Sequence, residues 1–226
     1  ANGSIKLDGN YPVGTQNVAL GDTALALSSG DANTALGASA LEANTTASDN
    51  TAVGARALYV NTTGSQNTAV GRIALAANTT APNNTAVGYS VLNANTTGSN
   101  NTGVGRSALA ANTTASNNTA LGYNAGTAIT IGFNNTFVGS TTGDALTTGD
   151  YNVAVGLSAL GAETTGNKST AMGTGALASQ NNTGDPDVFN TAIGFEAGAA
   201  VTTALRSTLI GGLSGDSLTT GDDNTA

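Results

Sequence analysis

Two short apolar steps recur along the chain, separated by Gly, Asn, Ser and Thr. The first closes the unit Asn-Thr-Ala-Val-Gly, with Val53, Val70, Val87, Val104 and Leu121 just before the glycine. The second is a pair ending in leucine, at Ala57-Leu58, Ala74-Leu75, Val91-Leu92 and Ala108-Leu109. The glycine of the first unit falls at Gly21, Gly37, Gly54, Gly71, Gly88, Gly105, Gly122, Gly139, Gly156, Gly173, Gly194 and Gly211. The steps are 16, then eight of 17, then 21, then 17. A period held over nearly the whole chain is the signature of a repeat architecture.

The residues between the apolar steps are turn formers. A helix over Ile73-Ala74-Leu75-Ala76-Ala77 would be one short window bounded by Gly71 and Asn78-Thr79-Thr80, too short to stand as a repeat helix. The pattern predicts two short strands per repeat, stacked in parallel. The expected fold is an all-β parallel β-solenoid, or β-roll, of about 12–13 rungs with 17-residue repeats, forming a rod roughly 60 Å long. Residues 1–16 read as a lead-in or cap and 17–226 as the repeat region. Asn224-Thr225-Ala226 is an incomplete copy of the strand, so the natural polypeptide is expected to continue with an apolar residue and a glycine. An open rung would leave unpaired backbone groups.

In a stacked solenoid equivalent residues form ladders. Val53, Val70, Val87 and Val104 are expected to face inward, opposite a second inward row of Leu58, Leu75, Leu92 and Leu109. Asn44, Asn61, Asn78, Asn95 and Asn112 form an expected amide ladder. The glycine after each Val is expected to take a positive φ or a close backbone approach. Neighbouring strand residues point to opposite faces, which would put Ala52, Ala69, Ala86, Ala57, Ala74 and Ala108 outside, packed against another chain.

A longer pattern lies over this one. Gly122-Tyr123-Asn124-Ala125-Gly126 recurs 72 positions on as Gly194-Phe195-Glu196-Ala197-Gly198, and Asp144-Ala145-Leu146-Thr147-Thr148-Gly149-Asp150 recurs as residues 216–222. The extra residues of the long step lie near Asp185-Pro186-Asp187-Val188, where Pro and two Asp predict a protruding loop.

Composition removes most chemistry. The 226 residues include no His, Cys or Trp, and only 9% are charged and 4% aromatic. Leu, Ile, Val and Phe make up about 19%, too few for an ordinary core of this length, while the charge is too low for a typical disordered chain. No Ser-His-Asp triad, Cys nucleophile, Cys/His zinc site, haem attachment or iron–sulfur cluster can be built. No enzyme, cofactor or metal site is expected. No apolar run reaches the length of a membrane span, so no membrane insertion is expected within this segment.

Charge is uneven: residues 50–143 carry Arg56, Arg72 and Arg106 and no acid, in a chain of net charge −8. Three arginines on three rungs are read as solubilising charges, with an anionic glycan as the alternative. Net charge and the lack of interleaved aromatics disfavour nucleic acid. Gly-Asp pairs at Asp144, Asp150, Asp185, Asp216 and Asp222 read as turn solvation. Only Asp185 with Asp187 approaches calcium spacing, and no calcium-type nonapeptide repeat is present. The recurring Asn-Thr-Thr matches an N-glycosylation acceptor, a match the repeat itself produces. Tyr59, Tyr89, Tyr123 and Phe133 are candidates for a sugar-stacking surface, or equally for covering strand edges.

The unit Asn-Thr-Ala-Val-Gly-x-x-Ala-Leu, as in residues 50–58, 67–75 and 118–122, resembles the head repeats of trimeric autotransporter adhesins and the related repeats of phage tail-fibre shafts. The resemblance covers roughly residues 17–226 and implies a homotrimeric left-handed parallel β-roll. Adhesin heads use a shorter period and Ser where this chain has mostly Thr, which tilts the likeness toward a tail-fibre shaft. The expected function is a non-enzymatic structural and adhesive fibre segment, extracellular at a cell surface or on a virion tail fibre. A host-surface glycan or protein receptor is the implied partner. Alternatives are a subunit of an extracellular filament and an ice-binding Thr/Asn-ladder solenoid. Against the last, adjacent threonines such as Thr62-Thr63 point in different directions and lie in a turn.

Overall fold

A computed structural model of the chain describes residues 14–184 and 186–226. The lead-in assigned to residues 1–16 therefore lies outside the described residues, except for its last three. Among the described residues, twelve three-residue strands, from β1 (Val18–Leu20) through β4 (Thr68–Val70) to β12 (Thr208–Ile210), form one sheet in sequence order. Neighbours are parallel and in register: Thr68 lies beside Thr85, Ala69 beside Ala86 and Val70 beside Val87. This is the β-solenoid the period predicts, with about 11 turns. At a rise of about 4.8 Å per turn the row of strands runs about 50 Å.

Each turn of the solenoid holds one strand where two were expected. The second apolar step lies in a tight turn, in which Arg56 and Leu58 have φ of 57° and 51°. Left-handed backbone costs a non-glycine residue about 1 kcal/mol or more. In return the N–H groups swing along the solenoid axis. Arg56 N–H donates back to Ala38 O at 2.9 Å, and Leu58 N–H donates forward to Ala74 O at 3.0 Å. The corners thus make the same turn-to-turn bonds as the strand. An Ala-Leu pair is apolar in either conformation, so the pattern alone does not separate strand from turn.

The faces of the strand are inverted relative to expectation. Ala52, Ala69 and Ala86, at the strand centres, are fully buried, whereas Val53, Val70, Val87 and Val104 sit half-buried on the outer face. Ala57, Ala74 and Ala108 are also inside, beside the inward row Leu58, Leu75, Leu92 and Leu109, which stands as expected. The coil is narrow: a leucine from the turn meets an alanine from the strand. A γ-branched side chain facing a methyl fills the gap, and Val in place of Ala would overpack it.

The rest of the interior is polar. Asn61 Nδ2 donates to Asn44 Oδ1 at 3.2 Å, Asn78 to Asn61 at 2.8 Å, Asn95 to Asn78 at 2.9 Å and Asn112 to Asn95 at 2.8 Å. A second buried row, Asn33, Asn50, Asn67, Asn84, Asn101, Asn118, Asn135 and Asn152, precedes the strands. Each of its Oδ1 atoms accepts the backbone N–H of the equivalent residue one turn on, as Asn67 does from Asn84 at 2.9 Å. The two rows meet on shared carbonyls: Ala81 O accepts Asn67 Nδ2 at 2.9 Å and Asn78 Nδ2 at 3.0 Å. Buried amides satisfied in this way replace aliphatic bulk, which is why so few large apolar residues suffice.

The glycine that ends each strand has the expected positive φ. Gly54 has φ 129°, and a Cβ there would lie 2.6 Å from Gly71 O. The backbones of successive turns approach too closely at this corner for any side chain.

The 72-residue recurrence marks a second kind of turn. Where the leucine four residues after the corner glycine is present, the residue three further on is polar: Leu75 with Asn78, Leu109 with Asn112, Leu160 with Glu163, Leu177 with Gln180. Where that leucine is replaced by glycine, its companion is aliphatic: Gly126 with Ile129, Gly143 with Leu146, Gly198 with Val201, Gly215 with Leu218. Phe137 and Leu209, at strand centres normally occupied by Ala, fill the space those glycines vacate.

The 21-residue step is anchored rather than free. Asp187 bridges to Asn167 in parallel fashion, Asn167 N–H donates to Pro186 O at 2.9 Å and Val188 is fully buried. The loop expected around Asp185-Pro186-Asp187-Val188 therefore rejoins the body by Pro186; Asp185 itself lies outside the described residues.

Candidate interaction surface

Three-residue strands with a buried centre present two residues outward. The first is threonine in most turns (Thr34, Thr51, Thr68, Thr85, Thr102, Thr119 and Thr136, then Thr170, Thr191 and Thr208), with Val18 and Val153 the exceptions. The second is always aliphatic or Met: Leu20, Leu36, Val53, Val70, Val87, Val104, Leu121, Val138, Val155, Met172, Ile193 and Ile210. Leu121 is 48% exposed, Met172 41% and Ile210 61%. A straight apolar row thus runs the length of the sheet beside a row of hydroxyls. Reading the strand in the opposite sense hid both rows, although the constant Thr-x-Val spacing was the signal.

A second outward row follows the corner glycine. Ser90, Ser107 and Asn124 N–H groups donate to the carbonyls of Arg72, Tyr89 and Arg106, at 3.1, 3.0 and 3.0 Å, which fixes Arg72, Tyr89, Arg106 and Tyr123 one above another. All four side chains are exposed. The Arg72 guanidinium lies 5.7 Å from the Tyr89 ring centre, and Arg106 lies 5.9 Å from Tyr89 and 5.5 Å from Tyr123. Arg72 Nη1 donates to the Tyr89 hydroxyl at 3.4 Å and Arg106 Nη1 to the Tyr123 hydroxyl at 3.2 Å. Interleaved aromatics and arginines are therefore present, formed by the fold rather than by adjacency in sequence. Arg56 stands apart over Tyr59, at 5.3 Å. Phe133 belongs elsewhere, edge-on to Tyr151 with centroids 5.3 Å apart. The four aromatics singled out in the sequence do not make one surface.

The acidic candidates have structural partners. Asp150 Oδ1 accepts Phe133 N–H at 2.7 Å and Asp222 Oδ1 accepts Leu205 N–H at 2.9 Å, each capping the preceding turn. Asp187 pairs with Lys168 at 2.6 Å. Asp144 is partly buried, and that burial holds its pKa above the ordinary carboxylate value. Among the described residues no three His, Cys, Asp or Glu side chains converge to hold a metal ion. The Asn-Thr-Thr acceptors Asn44, Asn61, Asn78, Asn95 and Asn112 are fully buried ladder members, closed to modification in the folded chain. Thr62 Oγ1 donates to Thr79 O at 3.0 Å, so the turn threonines also serve the stack.

One buried acid escaped the sequence reading. Glu163 takes the ladder position, fully buried, and its Oε1 accepts N–H groups of Thr164, Thr165, Gly166 and Asn182 at 3.0, 3.2, 2.8 and 3.1 Å. Its Oε2 accepts Gln180 Nε2 at 3.0 Å, and Gln180 Oε1 accepts Asn190 Nδ2 at 2.8 Å. Asn182 and Asn190 lie on either side of the insertion, so this network ties it to the turn before. Its function is anchoring.

Comparison with family models, with curated proteins and with solved structures finds no match to this chain.

Proposed function

We propose that this chain is a non-enzymatic shaft segment of an extracellular attachment fibre, on a cell surface or a virion tail, and that it assembles as a homotrimer through the outer face of its sheet. The observation that carries the reading is the unbroken outward row from Leu20 to Ile210. A strip about 50 Å long and about 10 Å across, the length of a three-residue strand, covers roughly 500 Å² shared between the apolar row and the threonines beside it, a contiguous patch of the size that marks an interaction site. A second copy aligned in register offers the matching row. The adhesin-head and tail-fibre resemblance supplies the trimeric order, and the interfacial residues are Val, Leu, Ile and Met in place of the alanines first expected. The polar interior is consumed by ladder hydrogen bonds and the chain carries no His or Cys, which fits a role in shape and attachment.

Sedimentation equilibrium tests this. A discrete trimer is expected, reduced to a folded monomer by the pair Val70→Asp and Val87→Asp, while Ala69→Asp, inside the coil, abolishes folding. A monomeric parent chain sinks the trimer, and a rod that lengthens with concentration would assign the chain to a filament instead. Thermal hysteresis in the parent protein would assign the Thr and Val rows to ice.

A further inference from the structure

We propose that the row Arg72, Tyr89, Arg106 and Tyr123 is a binding site for a linear acidic polysaccharide lying along the solenoid axis, a ligand class that rests on the attachment reading above. Neither Arg72 nor Arg106 has a carboxylate within ion-pair distance among the described residues, in contrast to Arg206, which pairs with Asp222 and Asp223. Residues 50–143 contain no acid at all. A second copy stacked in register therefore brings none to this height either, and the guanidinium groups stay unpaired in the assembly. Each guanidinium carries five N–H donors; the tyrosine hydroxyl takes one, and the exposed remainder are available to a carboxylate or sulfate.

The tyrosines restrict the choice of polyanion. Each hydroxyl accepts from an arginine Nη1, which turns its own O–H toward a further acceptor. A hydroxyl between the charges suits the hydroxyl and ring oxygens of a sugar chain. The two arginines are two turns apart, about 10 Å. A nucleic acid strand offers a phosphate about every 3.4 Å of axis and needs open ring faces for successive bases. Here Tyr89 is flanked by arginines on both sides. The spacing fits a glycan with one acidic sugar in each disaccharide. The acidic stretches before residue 50 and after residue 143 confine the site, because they repel the same ligand.

The test is calorimetric titration of the intact chain with hyaluronan oligosaccharides at low salt. Saturable binding is expected, weakened by added salt and absent with neutral dextran. The pair Arg72→Gln and Arg106→Gln should weaken it about tenfold, as expected for two exposed charge contacts, and Tyr89→Ala should weaken it too, while Arg206→Gln leaves it unchanged. Circular dichroism confirms that each variant is folded. No binding by the parent chain, or equal binding by the double arginine variant, overturns the proposal, and tighter binding of oligo-dT gives the row to nucleic acid. The outcome separates from the oligomer question. A monomer that binds hyaluronan sinks the trimer alone, and a trimer that does not bind sinks this proposal alone.

Discussion

The ring of Phe137 occupies the space that a side chain at Gly126 would need: a Cβ at Gly126 would lie 2.8 Å from Phe137 Cδ2. Gly143, in the next turn, is blocked by the same ring. In the leucine-bearing turns the leucine fills this site from the corner while the strand supplies at most a methyl group. The volume inside the coil is conserved, and the side from which it is filled changes.

Phe137→Ala should therefore lose about 3–5 kcal/mol, the usual consequence of emptying a fully buried aromatic site. Adding Gly126→Leu to that variant rebuilds the common turn, in which Leu58 holds φ 51°, and should recover a substantial part of the loss. Gly126→Leu alone should destabilise by overpacking. Urea denaturation of the three variants reads the cycle; simple additivity of the two changes would show that the sites do not share one space.

Asn78 sits in the middle of the amide ladder, donating to Asn61 Oδ1 and Ala81 O and accepting from Asn95 Nδ2. Asn78→Ala leaves Asn61 Oδ1 without its donor in a buried site and should destabilise by about 2–3 kcal/mol. Thr63→Ala, exposed on the same turn, should change stability by less than about 0.5 kcal/mol. A directional ladder also ends on one unpaired acceptor. Asn112 Oδ1 is that atom, since Ile129 occupies the next position and offers no donor. Chemical denaturation of the Asn78 and Thr63 variants side by side checks the ladder, and equal effects would count against it.

Burial raises the pKa of Asp144 above its ordinary 3.8, with a hydrogen bond from its own backbone acting the other way. A carboxyl whose folded pKa is raised penalises the fold when ionised. That penalty is present at neutral pH and disappears as pH falls through the folded pKa toward 3.8. Asp144→Asn should accordingly raise the melting temperature at pH 7 and leave it unchanged at pH 3. A shift of the same size at both pH values would show that charge is not the cause.

Much of this was legible in the chain. The steps of 17 fixed a parallel stack, because equivalent residues one period apart must lie side by side once the backbone closes a turn. The amide ladder through Asn61 and Asn78 and the positive φ of Gly54 followed from residue type. The alternation of Leu with polar and Gly with aliphatic companions was also in plain view: Leu109-Asn112 gives way to Gly126-Ile129 at the point where the 72-residue recurrence begins.

What the sequence by itself determined is the period, the direction of stacking and the residue types that form each row. Which face of the strand turns inward was decided only by the tertiary structure. A three-residue strand has too few positions for alternation to choose a face, and Ala and Val are both apolar, so either could be buried. The narrow coil decides, because the turn opposite places Leu58 where only the methyl of Ala52 or Ala69 leaves room. Closing the coil then sends Thr and Val outward into two straight rows. It also brings Arg72, Tyr89, Arg106 and Tyr123, seventeen residues apart in sequence, into a single column.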